Sequence, residues 1–236
     1  MMGRRILALV AMATMMTALW AQDQVSLFKP LGLGFQVGVG GMMPTASLAD
    51  DFKGCVLFTG GINCDYRRLR LTVDLSYGQP SFKNENPYAV SNQRNATANP
   101  TLLAGTAQLG YTVWRQGRVA VTPALGLTAS RLSWDLNHIK YESDDDGNER
   151  PMIDDVTGTH ENNLGWTASV NVDIRLHGKV VDHPVGDDGQ AHYTSMLRVS
   201  PFITGVKFNH FNPVAKGCCL GVTVSYAGLL RAIVRQ

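Results

Sequence analysis

Leu164-Gly165-Trp166-Thr167-Ala168-Ser169-Val170-Asn171-Val172-Asp173-Ile174-Arg175-Leu176 changes character at every step. Leu164, Trp166, Ala168, Val170, Val172, Ile174 and Leu176 are apolar. The residues between them are small, polar or charged. A period of two places the two sets on opposite faces of an extended strand. Val170 and Val172 are therefore expected on one surface, and Asn171 and Asp173 on the other.

The same alternation recurs on both sides of this run, making eight segments in all. Leu31, Leu33, Phe35, Val37 and Val39 oppose a row of glycines and Gln36. Val56, Phe58, Ile62 and Cys64 form the second apolar face, with Leu57 out of phase. Leu69, Leu71, Val73, Leu75 and Tyr77 oppose Arg70, Thr72, Asp74 and Ser76. Leu103, Ala107, Leu109, Tyr111 and Val113 make the fourth face, and Val119, Val121, Leu125 and Leu127 the fifth. The seventh has Leu197, Val199 and Ile203 against Arg198, Ser200 and Thr204, with Phe202 on the wrong side. The eighth has Leu220, Val222, Val224 and Tyr226. Pro123 and Pro201 interrupt two segments, and proline in a sheet belongs at an edge or a bulge.

The spacing between segments alternates as well. Tight turns are expected around Asp65-Tyr66-Arg67 and Arg115-Gln116-Gly117, and long connections over 43–53, 79–100, 133–162 and 207–216. A transmembrane barrel has short turns on its periplasmic side and long loops outside. The connection at 177–192 falls on the short side and departs from that rule.

A soluble sandwich alternates too, so the composition of the polar face matters. Here it is mostly Gly, Ser, Thr, Asn and Gln, which suits a crowded wet interior better than an outer surface. The opposite face carries almost no charge, as lipid requires. Tyr77, Tyr111, Trp114, Trp166 and Tyr226 near the segment ends fit an interfacial girdle.

The chain begins as an exported protein begins. Arg4 and Arg5 precede fifteen uncharged residues, Ile6 to Trp20, and Ala21-Gln22 offers a small residue for cleavage. The domain division is a signal peptide over 1–21 and a barrel domain over 22–236, ending in a short C-terminal extension. The chain has 21 basic and 19 acidic residues; without Arg4 and Arg5 the charges balance. No basic surplus marks a nucleic-acid partner. Cys55, Cys64, Cys218 and Cys219 show no metal spacing and too low a density for a disulfide scaffold.

The opening strand Gly32-Leu33-Gly34-Phe35-Gln36-Val37-Gly38-Val39-Gly40-Gly41, the stretches Leu71–Tyr77 and Leu109-Gly110-Tyr111, and Val121–Leu127 resemble the PorT-like outer-membrane β-barrel proteins of Bacteroidota. The resemblance covers most of the chain after residue 21 and implies a fold and a location more than an activity. Such barrels commonly end on an aromatic residue, whereas Tyr226 is followed by Ala227 to Gln236.

Charge on the polar face narrows the candidate site. Arg70, Asp74, Asp173, Arg175 and Arg198 are expected to share the interior as a salt-bridge network, since unpaired charge is costly there. An ion path is the alternative, but eight strands leave a bore that side chains fill. The 133–162 stretch holds nine acidic and two basic residues. Asp144-Asp145-Asp146-Gly147-Asn148-Glu149 lacks the spacing of a calcium loop. Asn209-His210-Phe211-Asn212-Pro213 resembles the His-x-Ser-Asn element of lipid A deacylases, with Asn212 where the nucleophile would stand. His177, His183 and His192 are loop histidines without a clear metal pattern.

The expectation is an all-β protein, an antiparallel up-and-down transmembrane β-barrel of eight strands in the outer membrane. It is expected to have no catalytic residues and no cofactor or metal. Its partners would be outer-membrane lipid and an envelope or extracellular protein met through loops 79–100 and 133–162. The competing readings are a soluble exported barrel or sandwich that binds a small ligand, and a lipid-modifying outer-membrane enzyme.

Overall fold

In the computed structural model, residues 28–83, 94–96, 100–143, 149–182, 190–208 and 215–233 are described. The signal segment 1–21, the calcium-like run 144–148, His183 and the 209–213 element lie outside them. The strands are β1 (Phe28–Pro44), β2 (Cys55–Tyr66), β3 (Leu69–Gly78), β4 (Arg94–Ala96), β5 (Thr101–Tyr111), β6 (Trp114–Gln116), β7 (Val119–Ser143), β8 (Glu149–Asp182), β9 (Gln190–Phe208) and β10 (Ala215–Ile233). One short helix, α1 (Leu48–Asp51), stands between β1 and β2.

The strands pair antiparallel in chain order, and the ring closes through β1 and β10, from Phe28↔Ile233 to Pro44↔Cys219. Segments β4, β5 and β6 all pair with the same edge of β7 and together occupy one strand position. The result is a closed, up-and-down, eight-stranded antiparallel β-barrel. Closure pairs the eight strand positions of the barrel wall on both sides; past Ser133 of β7 and before Thr167 of β8, the two strands pair chiefly with each other.

The side-chain alternation gives each strand an outer and an inner face. Leu33, Ile62, Leu75, Leu109, Leu125, Leu164 and Val222 are all exposed, Leu125 at 70% and Leu164 at 74%. The polar partners turn inward: Gln36, Asn63, Thr72, Thr122, Thr167, Asn171 and Ser200 are buried. Val170 is 40% exposed while Asn171 and Asp173 are buried. A soluble barrel or sandwich would need the apolar faces to meet in a core. They do the opposite and face outward from a polar interior.

Both prolines sit where the ladder has a gap. Between Gly110↔Ala124 and Trp114↔Val121, three residues oppose two, and this bulge faces Pro123. Thr112 there donates its N–H to the Arg68 carbonyl instead, at 2.8 Å. The β8–β9 register passes from Ser169↔Phe202 to Val172↔Val199 without pairs beside Pro201. Neither ring nitrogen is asked for a ladder bond.

Several sequence expectations are corrected. The tight turns lie at Arg67-Arg68 and Gly117-Arg118, where Arg67 and Gly117 have positive φ of 55° and 56°. Most of 133–162 is not a loop: β7 and β8 stay paired as far as Ser143↔Glu149. Past Ser133, the last β7 partner of β5, β7 runs ten more residues, roughly 30 Å at strand rise. The 177–192 connection shrinks in the same way, since β8 continues to Asp182 and β9 begins at Gln190. The C-terminal extension is also strand: β10 carries residues 227–233 into pairs with β9 and β1.

The barrel interior as candidate functional site

Inward-facing residues form three layers along the bore. The layer at the short-turn end is ionic. Asp65 and Arg70 face each other across β2 and β3. Arg70 grips both Asp65 oxygens, Nε to Oδ1 at 2.7 Å and Nη2 to Oδ2 at 3.0 Å. Its Nη1 crosses the bore to Asp173 Oδ2 at 2.5 Å. Arg198, opposite Asp173 in the β8–β9 ladder, donates Nε to Asp173 Oδ1 at 2.6 Å. Arg198 also donates to the Gln36 amide oxygen, and the Gln36 amide donates to Asp74. Arg231 adds a contact to Asp65 Oδ2 at 3.3 Å.

This chain of contacts ties β1, β2, β3, β8, β9 and β10 together across the lumen. Three arginines meet three aspartates, so the layer is neutral, as charge withdrawn from water must be. Glycine makes the room: a Cβ at Gly61 would collide with the Asp74 carboxylate.

The middle layer is made of hydroxyls and amides. Thr106–Thr128 at 3.0 Å, Thr112–Thr122 at 3.0 Å and Thr167–Thr204 at 2.9 Å join neighbouring strands. Ser169 donates to the Gln108 amide oxygen at 2.6 Å, spanning from β8 to β5. A chamber of ≈ 130 Å³ opens here. It is comparable with an engineered cavity of about 150 Å³ that admits benzene.

The third layer, toward the long connections, is apolar. Leu48, Phe52, Phe82, Leu132, Trp134, Phe208 and Cys219 pack into one buried cluster. Helix α1 delivers Leu48, and Phe52 follows it to stack with Phe82 at 5.2 Å between ring centroids. The lumen is therefore lined by charge at one end and by hydrocarbon at the other.

Of the residues singled out from sequence, Arg70, Asp74, Asp173 and Arg198 stand in this interior, linked as described. Arg175 stands apart. It is exposed at the short-turn mouth and has no ion pair among the described residues. Sequence reading missed Asp65, Gln36 and Arg231. Asp65 was assigned to a turn, Gln36 was the one long side chain in a glycine row, and Arg231 lay in the supposed tail. The four cysteines are free thiols. His177 is exposed, and His192 pairs its Nδ1 with the Thr194 hydroxyl at 3.1 Å.

No family model matches the chain. No curated protein matches it either. Among solved structures, the chain is similar to the Neisserial surface protein A, with 13% identity, 86% of this chain and 97% of that one covered, and a TM-score of 0.41. It is similar to the outer membrane protein OprG from Pseudomonas aeruginosa, with 9% identity, coverage of 88% and 98%, and a TM-score of 0.42. It is also similar to the outer membrane protease OmpT from Escherichia coli, with 11% identity, coverage of 89% and 99%, and a TM-score of 0.35.

Proposed function

We propose that this barrel spans the bacterial outer membrane, conducts nothing, and serves as a rigid stem that presents the β7–β8 ribbon and its neighbouring connections outside the cell. The observation that carries this is the inverted distribution of polarity. Large apolar side chains are exposed on β1, β2, β3, β5, β7, β8 and β10, while Thr, Ser, Asn and paired charges fill the inside. In water such a band would be a large aggregation surface. In hydrocarbon it is the required surface, and closure satisfies the backbone.

The ionic and apolar layers together argue against a pore, so the work falls to the outer surface. Contact with another envelope or extracellular molecule through the ribbon and the 79–100 connection is the role proposed, as is membership of the PorT-like barrels.

Fractionation tests the location. Recovery in outer membranes, with release only by detergent, is the expected result. A freely soluble monomer overturns the reading. An epitope inserted after Gly147 should be labelled on intact cells, whereas labelling only after lysis reverses the orientation. Purified protein in planar bilayers should give no stepwise conductance.

A further inference from the structure

The mouth at the short-turn end has more positive charge than its carboxylates can match. A cavity of ≈ 50 Å³ there is lined by Arg70, Arg115, Arg118, Arg175 and Arg231, and among the described residues only Asp65 and Asp173 oppose them. Both carboxylates are already engaged. Asp65 takes Arg70 in a two-bond grip and Arg231 at 3.3 Å. Asp173 takes Arg198 and Arg70.

Arg115, Arg118 and Arg175 have no ion pair among the described residues. A fourth donor is stranded as well: the Arg231 Nε is shut off from solvent with no acceptor. The inward direction of these side chains follows from register. Asp173 points into the bore and pairs with Ala120, which in turn pairs with Arg115. Residues directly opposite in a ladder share a face, so Arg115 shares the inner face of Asp173. Arg175 lies two residues beyond Asp173, on that same face.

Guanidinium groups present fixed, planar forks of donors that match oxyanions. We propose that the short-turn mouth is an oxyanion site that takes a phosphate group, free or as a phosphate monoester. Arg115 and Arg175 grip it from the rim, and the Arg231 Nε meets it from below. The surplus of three positive charges suits a phosphate dianion better than a single carboxylate. A lipid headgroup is not the expected source, because these arginines face the bore and not the outer wall. The site rests on lumen geometry, so it stands whether or not the barrel lies in a membrane.

The test is calorimetric titration of the full chain, folded in detergent micelles at low ionic strength, with inorganic phosphate. One phosphate should bind per barrel, and glycerol 3-phosphate should compete for the same site. Arg115→Gln with Arg175→Gln should weaken both at least about tenfold, the loss of more than one charge-assisted bond. Arg131→Gln with Lys207→Gln removes the same charge from exposed positions at the far end and should change affinity less than about twofold. If the rim double variant does not fold, Arg118→Gln alone, in the turn, should still weaken binding severalfold. Absence of binding overturns the proposal, as does equal weakening by the rim and far-end variants.

Discussion

Replacing Asp173 with alanine removes the centre of the ionic layer. Asp173 accepts Arg70 at 2.5 Å and Arg198 at 2.6 and 3.3 Å, and its side chain is 3% exposed. After the change Arg70 still holds Asp65. Arg198, itself 1% exposed, loses the one carboxylate it touches among the described residues and keeps Gln36. Breaking a buried pair from one side costs about 3–5 kcal/mol, because the remaining charge is stranded. Asn171→Ser offers a fair comparison two residues away. It removes the acceptor of a neutral bond, Ser200 Oγ to Asn171 Oδ1 at 2.7 Å, worth about 0.5–1.5 kcal/mol. The two variants should differ by at least about 1.5 kcal/mol in urea unfolding from lipid vesicles, with Asp173→Ala the weaker. Adding Arg198→Met to Asp173→Ala should recover much of the loss, since it removes the stranded charge. The reasoning is refuted if the two single variants lie within about 1 kcal/mol, or if the added Met brings no recovery.

With the four native cysteines changed to serine, a cysteine at 170 should react with a membrane-dissolved probe and one at 171 should not; equal labelling by an aqueous reagent would contradict the faces of β8. Gly126→Ala drives a Cβ into the Ala107 carbonyl, whereas Gly41→Ala meets nothing within 4 Å. The first should cost about 1–3 kcal/mol by overpacking and the second little, measured as unfolding midpoints. Leu48→Ala empties a site that is 1% exposed and should cost about 2–5 kcal/mol in the same assay. It should still leave planar bilayers silent, because the ionic layer at the other end is untouched; appearance of conductance would locate the seal in the apolar layer alone.

The fold was legible wherever the strand wall has one uniform medium on each side. Leu164 to Ile174 read correctly because every inward position there meets polar groups. Reading failed where the bore itself turns apolar. Leu125 and Leu127 are exposed on the outer face, while Leu132 and Trp134 are buried inside. The apolar set thus changes face between 127 and 132, and the alternation loses phase where the strand continues. Leu57 and Phe202, both out of phase in sequence, line the chamber beneath the apolar layer. The candidate site was half legible for a related reason. Period two can say that Arg70 and Asp173 face inward, but not that strands three positions apart in the ring bring them into contact. The partners Asp65 and Arg231 depended on turn and strand ends, which pattern alone fixes poorly.

Two of the buried ion pairs are local, each formed between strands that follow one another in the chain. Asp65 faces Arg70 within the β2–β3 hairpin, and Asp173 faces Arg198 within the β8–β9 hairpin. Each two-stranded unit therefore holds one matched pair before it meets the other, while the second inward carboxylate of the β2–β3 hairpin, Asp74, waits for Arg231 of β10 to balance the layer. A nascent hairpin entering lipid with a matched pair faces a much lower barrier than one with a lone guanidinium. Those two pairs need not wait for the whole chain, whereas the balance of Asp74 by Arg231 does. The bond from Arg70 to Asp173 is what remains for the end, a clasp that only the finished ring can fasten.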